Sequence, residues 1–211
     1  MTNTYVTIPD ENAWSAWQPV ELAQRLRDVP LPWCIVGGWA LDLWHGVQTR
    51  EHSDLEFTIL RDHLGQYLHA FDELAFYTAH SGVVEPLSAG RSVSPEIMQF
   101  WGYDRAAQCW RIDMMIEPGT TQVWAYKRDP SIQRPRNEMV MRTADNIPYL
   151  NPSAVLLFKA RDPRPKNQQD FERAPAASYV RASRAILLRR AFLVIGAGLI
   201  GLIASCGIAH P

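Results

Sequence analysis

"TREHSDLEFTI", residues 49–59, sets Asp54 and Glu56 two positions apart inside an apolar run. Read as a strand, it puts Leu55, Phe57 and Ile59 on one face and Asp54, Glu56 and Thr58 on the other. The first face packs, while the second crowds two like charges together. A solvated strand face tolerates such a pair, so its meaning depends on the sequence around it.

Upstream, "WCIVGG" (33–38) reads as a short buried strand ending in Gly37 and Gly38, and "WALDLWHG" (39–46) as a helix stopped by Gly46. The carboxylate pair follows sixteen residues after Gly38. Glycine lets backbone come close to a phosphate, and a helix N-terminus offers unpaired N–H groups and a favourable dipole. Mg²⁺ is commonly held by one or two protein carboxylates together with substrate phosphate oxygens. A divalent cation would relieve the repulsion between Asp54 and Glu56.

A third acid would complete such a site. In "CWRIDMMIE" (109–117), Ile112, Met114 and Ile116 share one strand face, and Asp113, Met115 and Glu117 the other. An unpaired charge inside an apolar strand is costly, so Asp113 is assigned as third metal ligand or general base. Glu117 is the alternative; ahead of Pro118 and Gly119 at the strand end, it is expected to be solvated.

The stretch "GGWALDLWHGVQTREHSDLEFTILRD" (37–62) resembles the nucleotidyltransferase superfamily, and within it the aminoglycoside-2''-adenylyltransferase and lincosamide nucleotidyltransferase group. "YLNPSAVLLFKARDPRPKNQQDFE" (149–172) resembles the C-terminal helical segment of that group, so the likeness runs over roughly residues 30–173. Many superfamily members have Asp where this chain has Glu56. The resemblance implies metal-dependent transfer of a nucleoside monophosphate, AMP from ATP or the equivalent from another nucleoside triphosphate, to the hydroxyl of an antibiotic-type small molecule. It assigns Asp54, Glu56 and Asp113 to Mg²⁺, with Asp113 also helping to deprotonate the hydroxyl. Two other readings remain: the same chemistry on a protein or nucleic-acid acceptor, and a non-catalytic binding domain of the same fold.

Other residues have a functional and a plain reading. Arg50 and His52 would contact triphosphate or acceptor, or be solvated loop charges. Lys159 would reach a phosphate as a point charge. Lys166 and Asp170 lie one helical turn apart and would pair. Asp42 would meet the acceptor, with a solvated helix face as the plainer reading, and the tryptophans are expected in the core.

The order of elements is helix, strand, helix, strand, a helix over 61–74 with Asp62 as cap, strands from about 75 to 150, and then helices. It predicts an α+β fold, a mixed sheet flanked by helices with a C-terminal helical segment. The expected divisions are a nucleotidyltransferase core over 1–150, the helical segment over 151–174 and an atypical tail over 175–211. A chain of 211 residues with 47% hydrophobic residues suits one globular domain with a small appendage. All eight tryptophans lie at or before Trp124. No basic stripe suggests nonspecific nucleic-acid binding. Cys34, Cys109 and Cys206 form no motif, which suits reduced thiols in a cytoplasm. The opening "MTNTYVTIPDENAW" does not read as a signal peptide.

The tail differs in charge. All 22 acidic residues lie at or before Glu172, whereas Arg173, Arg181, Arg184, Arg189 and Arg190 follow. The body therefore holds 16 basic residues against 22 acidic ones, a balance of −6 that suits a cationic acceptor. Gly196, Gly198 and Gly201 have dinucleotide-binding spacing, but the chain continues only ten residues beyond Gly201, too few for the strand and acid that the unit needs. Residues 191–209 carry no charge and offer either a membrane anchor or a segment foreign to the domain.

Overall fold

A computed structural model describes residues 8–88, 93–160 and 164–173, with the side chain of Lys166 outside the description. Helix α1 (Pro19–Arg25) opens with proline in its first turn, and Glu21 Oε2 accepts the Gln18 backbone N–H at 2.7 Å. Strand β1 (Trp33–Ile35) leads into α2 (Gly37–His45), which Gly46 ends in the left-handed conformation at φ 74°. Strand β2 (Glu56–Leu60) carries the apolar alternation of the sequence, with Phe57 and Ile59 buried.

A 3₁₀ turn, Arg61–His63, then precedes α3 (Leu64–Ala70). The helix expected over 61–74 is thus shorter, and no side chain caps it, Asp62 included. Phe71 leaves helical backbone at φ −117°, ψ 46°, and it and Leu74 are buried as the chain turns into the next strand. Core burial of these two side chains outweighs continuation of the helix.

The strands that follow are β3 (Ala75–His80), β4 (Val83–Pro86), β5 (Gln99–Asp104), β6 (Cys109–Glu117), β7 (Val123–Tyr126) and β8 (Asp129–Pro135). A short helix absent from the sequence reading, α4 (Arg136–Met139), separates them from β9 (Val140–Arg142) and β10 (Pro148–Leu150). Eight strands form one mixed sheet in the order β4-β3-β5-β6-β2-β1-β10-β9, and β7 and β8 form a separate hairpin. The β2–β6 and β1–β10 pairs are parallel, and the others are antiparallel. This sheet with its helices is the α+β architecture expected from the sequence.

Strand β6 lies inside the sheet, and both of its faces are largely buried. Fully buried Trp110 packs edge-on against Tyr77, Trp101 and Tyr103 at centroid distances of 4.9–5.4 Å, and its indole N–H donates to Asp10 O at 2.8 Å. Such edge contacts stabilise by about 0.5–1.5 kcal/mol each beyond the area buried. Trp17, Phe57, Tyr67 and Phe71 make a second aromatic cluster. Aromatic residues therefore build much of the core.

The chain forms two compact units that divide between Val155 and Leu156, within α5 (Pro152–Lys159). Asn151 caps α5 as expected, its Oδ1 accepting the Ser153 N–H at 2.9 Å. In the second unit, α6 (Pro165–Arg173) follows, and Lys159 Nζ meets Asp170 Oδ2 at 2.8 Å and Asn167 Oδ1 at 3.1 Å. Cys34 and Cys109 are buried free thiols. Among the described residues no helix is long and apolar enough to cross a membrane. The tail expected over 175–211, with Cys206, the glycine motif and the apolar stretch, lies outside the described residues.

Candidate active site

Parallel pairing of β2 with β6 sets Glu56 directly opposite Asp113. The register is fixed where the acids lie: the Asp113 N–H donates to Leu55 O at 2.9 Å, and the Val36 N–H to Glu56 O at 3.0 Å. Glu56 therefore has Asp113 on one side and the end of β1 on the other. The chain then turns at Gly37, whose φ of +64° is rarely adopted by residues with a Cβ. A Cβ there would also collide with Glu56 Oε2. At Gly38 it would collide with Arg50 Nη2 and with the His52 ring. The two glycines thus have a structural requirement apart from phosphate approach: they let three site side chains lie against the strand-to-helix turn.

Asp113 is 4% exposed. Its Oδ2 accepts the Gln99 amide N–H at 2.6 Å, while its Oδ1 is buried without a hydrogen-bond partner. Burial foremost, then the Glu56 charge and more weakly that of Asp54, holds the Asp113 carboxyl well above the usual carboxylate range, opposed by the Gln99 bond. The indole of Trp101, its cross-strand partner, also opposes the rise. Trp101 Nε1 and Asp113 Oδ1 are both buried without a partner of hydrogen-bond geometry. Asp54 and Glu56 are half-buried.

Mutual repulsion among three acids and a buried carboxylate oxygen without a partner suit a divalent cation, and oxygen ligands are what Mg²⁺ prefers. Among the described residues, however, no three His, Cys, Asp or Glu side chains stand ready as a metal cluster. The chemistry of the donor set fits Mg²⁺, and its side chains would have to converge on the ion.

Arg50 is half-buried beside Gly38, with its Nη1 donating to Glu51 O at 3.0 Å. Two plain readings of the sequence are corrected here. Asp42 does not lie on a solvated helix face; it is 4% exposed and pairs with His52 and Thr49 at 2.5 Å each. Glu117 is not solvated either: it is 6% exposed, ion-paired to Arg136 Nη2 and accepts the Thr58 hydroxyl at 3.2 Å. Helix α4 supplies the arginine, and α4 was not legible in the sequence.

The expected Lys166–Asp170 pairing lies partly outside the described residues, and Asp170 pairs with Lys159. A groove of about 1250 Å³, whose lining includes Arg27, Trp33, Gln122, Asn137, Arg142 and Asp145, has none of the three acids on its walls.

Sequence reasoning missed two residues, Gln99 and Lys127. Lys127 is exposed overall, yet desolvation of its ammonium is the leading cause lowering its pKa, and Asp113 is the group that raises it. Nothing in their local sequence marks either residue: Gln99 meets Asp113 from the neighbouring strand β5, and Lys127 feels its charge from the turn between β7 and β8.

The family model for aminoglycoside-2''-adenylyltransferase matches residues 20–91. That stretch contains Gly37, Gly38, Asp54 and Glu56, so the resemblance drawn from the sequence stands over these residues, and with it the enzyme class, a nucleotidyltransferase. Among solved structures, the chain is similar to the antibiotic-resistance factor ANT(2'')-Ia in solution, with 16% identity, a TM-score of 0.47, and 86% of this chain and 92% of that one covered. It is similar to lincosamide antibiotic adenylyltransferase LnuA with lincomycin bound, with 16% identity, a TM-score of 0.48 and coverage of 72% and 89%. It is also similar to ANT(2'')-Ia in complex with adenylyl-2''-tobramycin, with 15% identity, a TM-score of 0.45 and coverage of 88% and 96%. Likenesses of this degree do not assign a substrate. No curated protein matches the chain.

Proposed function

We propose that the protein transfers a nucleoside monophosphate, AMP from ATP in the simplest form, to a hydroxyl of an aminoglycoside- or lincosamide-type antibiotic. The observation that carries this reading is Asp113: buried, opposite Glu56, with one oxygen lacking a hydrogen-bond partner and with the charges of Glu56 and Asp54 acting on it. The family match over the strand-turn-helix and acid pair supports the reaction class. The net negative body suits the cationic character of an aminoglycoside.

Asp54, Glu56 and Asp113 would hold Mg²⁺, which when bound supplies charge stabilisation at the attacking and leaving oxygens. Asp113 Oδ1 would accept the proton of the acceptor hydroxyl, a role suited to a carboxyl whose pKa is raised. The hydroxyl oxygen forms a bond to the α-phosphorus as the bond to the bridging α–β oxygen breaks, and pyrophosphate leaves with that electron pair. Arg50, beside the glycine turn, would face the triphosphate. Lys159, read from the sequence as a further phosphate contact, is paired with Asp170.

The test is metal-dependent pyrophosphate release from ATP with a panel of aminoglycosides and lincosamides. The expected result is release that requires both Mg²⁺ and one member of the panel. No release from folded protein with any member would overturn the antibiotic reading.

A further inference from the structure

One buried ionisable cluster has no part in that chemistry. Trp39 and Asp42 lie one turn apart on α2, both buried, and grip the loop that returns to β2 at three points. Asp42 Oδ1 accepts the Thr49 hydroxyl at 2.5 Å. Asp42 Oδ2 lies 2.5 Å from His52 Nε2, which places the ring proton on Nε2 as donor to the carboxylate. The Trp39 ring covers the His52 ring, with centroids 4.3 Å apart and planes tilted by 30°, and its indole N–H donates to Asp54 O at 3.1 Å.

The His52 and Asp42 side chains are 3% and 4% exposed. Burying an imidazole and a carboxylate costs several kcal/mol before pairing, and apolar side chains would fasten a loop to a helix without that cost. What the polar pair adds is direction: two short hydrogen bonds and a ring stack determine the path of residues 49–54, and the last grip holds the backbone of Asp54 itself.

We infer that Asp42, His52 and Trp39 form a positioning device that presents the Asp54 carboxylate beside Glu56 at the glycine turn. The inference rests on Asp54 being a metal ligand, as proposed above. His52 is then a positioning residue and does not contact nucleotide or acceptor. Outer-shell partners of this kind typically change metal affinity by about 10–100-fold when removed.

The experiment is titration of the full-length protein with Mn²⁺ alone, followed by calorimetry, with circular dichroism of each variant. Asp54→Asn should abolish binding; Mn²⁺ binding as tight as that of the unsubstituted protein would overturn both the metal-ligand reading and this inference. His52→Ala should bind Mn²⁺ at least about tenfold more weakly while remaining folded. His52→Gln, which keeps a donor toward Asp42, should stay within about threefold of the unsubstituted protein. A purely structural role does not predict rescue by glutamine. Folded His52→Ala with unchanged affinity, or His52→Gln as weak as His52→Ala, overturns the inference alone. Should His52→Ala not fold, Trp39→Phe decides, because it keeps the ring and removes only the N–H to Asp54 O. Weaker Mn²⁺ binding is expected there, and unchanged affinity would overturn the inference.

Discussion

Asp113 and Glu117 lie four residues apart on the same face of β6, equally buried, and they have opposite surroundings. Glu117 is enclosed by partners: Arg136 pairs with one oxygen, the Thr58 hydroxyl donates to the other, and Arg136 Nε is itself tied to Thr120 O at 2.8 Å. Asp113 has one amide donor, an oxygen with no hydrogen-bond partner, and two acids among its electrostatic neighbours. A buried charge with a complete set of partners reads as a structural element, whereas one left incomplete beside like charges is a candidate for function. Spacing along a strand cannot separate these two cases; the partners brought by other elements can.

The largest effect should fall on turnover. Asp113→Asn is expected to lower nucleotidyl transfer by about 10²–10⁴-fold through loss of the base alone. Asp54→Asn should be at least as damaging, with circular dichroism unchanged in both. Glu117→Gln should sharpen the contrast from the other side. Removing one charge of a buried pair costs about 3–5 kcal/mol, so its unfolding midpoint in urea should drop sharply while the folded fraction still turns over.

The pH dependence of stability gives a smaller effect with a definite sign. The Asp113 carboxyl is raised in the folded protein, so its contribution is fully present below the unfolded carboxylate value of about 3.9 and is lost as pH rises through the folded value. Asp113→Asn should therefore match the unsubstituted protein in acid and exceed its stability near neutral pH in metal-free buffer. Equal stability across that range, read from urea melts, would mean that Asp113 is not strained. The smallest effect concerns Cys34, whose thiol burial pushes up to about 12. It should resist a thiol-specific reagent in folded protein and react only on unfolding.

Much of the proposed site could be put forward from local patterns. The alternation in residues 54–59 gave the strand and its two faces, and the glycine pair gave the turn. Asp113 stood out as a lone acid among apolar neighbours. The misreadings share one cause. Glu117 and Asp42 looked solvated because their partners are distant in sequence or in another element: Arg136 is nineteen residues away on a helix that only the fold reveals, and His52 lies across a loop. The 61–74 helix was overextended because burial of Phe71 and Leu74, a tertiary effect, ended it. Gln99 escaped notice because strand register is not a local property, and Lys127 because it acts on Asp113 from the turn of a separate hairpin.

The difference between the two acids of β6 is tested most directly by single-turnover transfer from α-labelled ATP to an accepting antibiotic, with Asp113→Asn and Glu117→Gln compared well below their unfolding temperatures. The expected result is a folded, inactive Asp113→Asn and a less stable Glu117→Gln that still forms labelled product. Turnover by Asp113→Asn together with a folded, inactive Glu117→Gln would contradict the assignment of both residues.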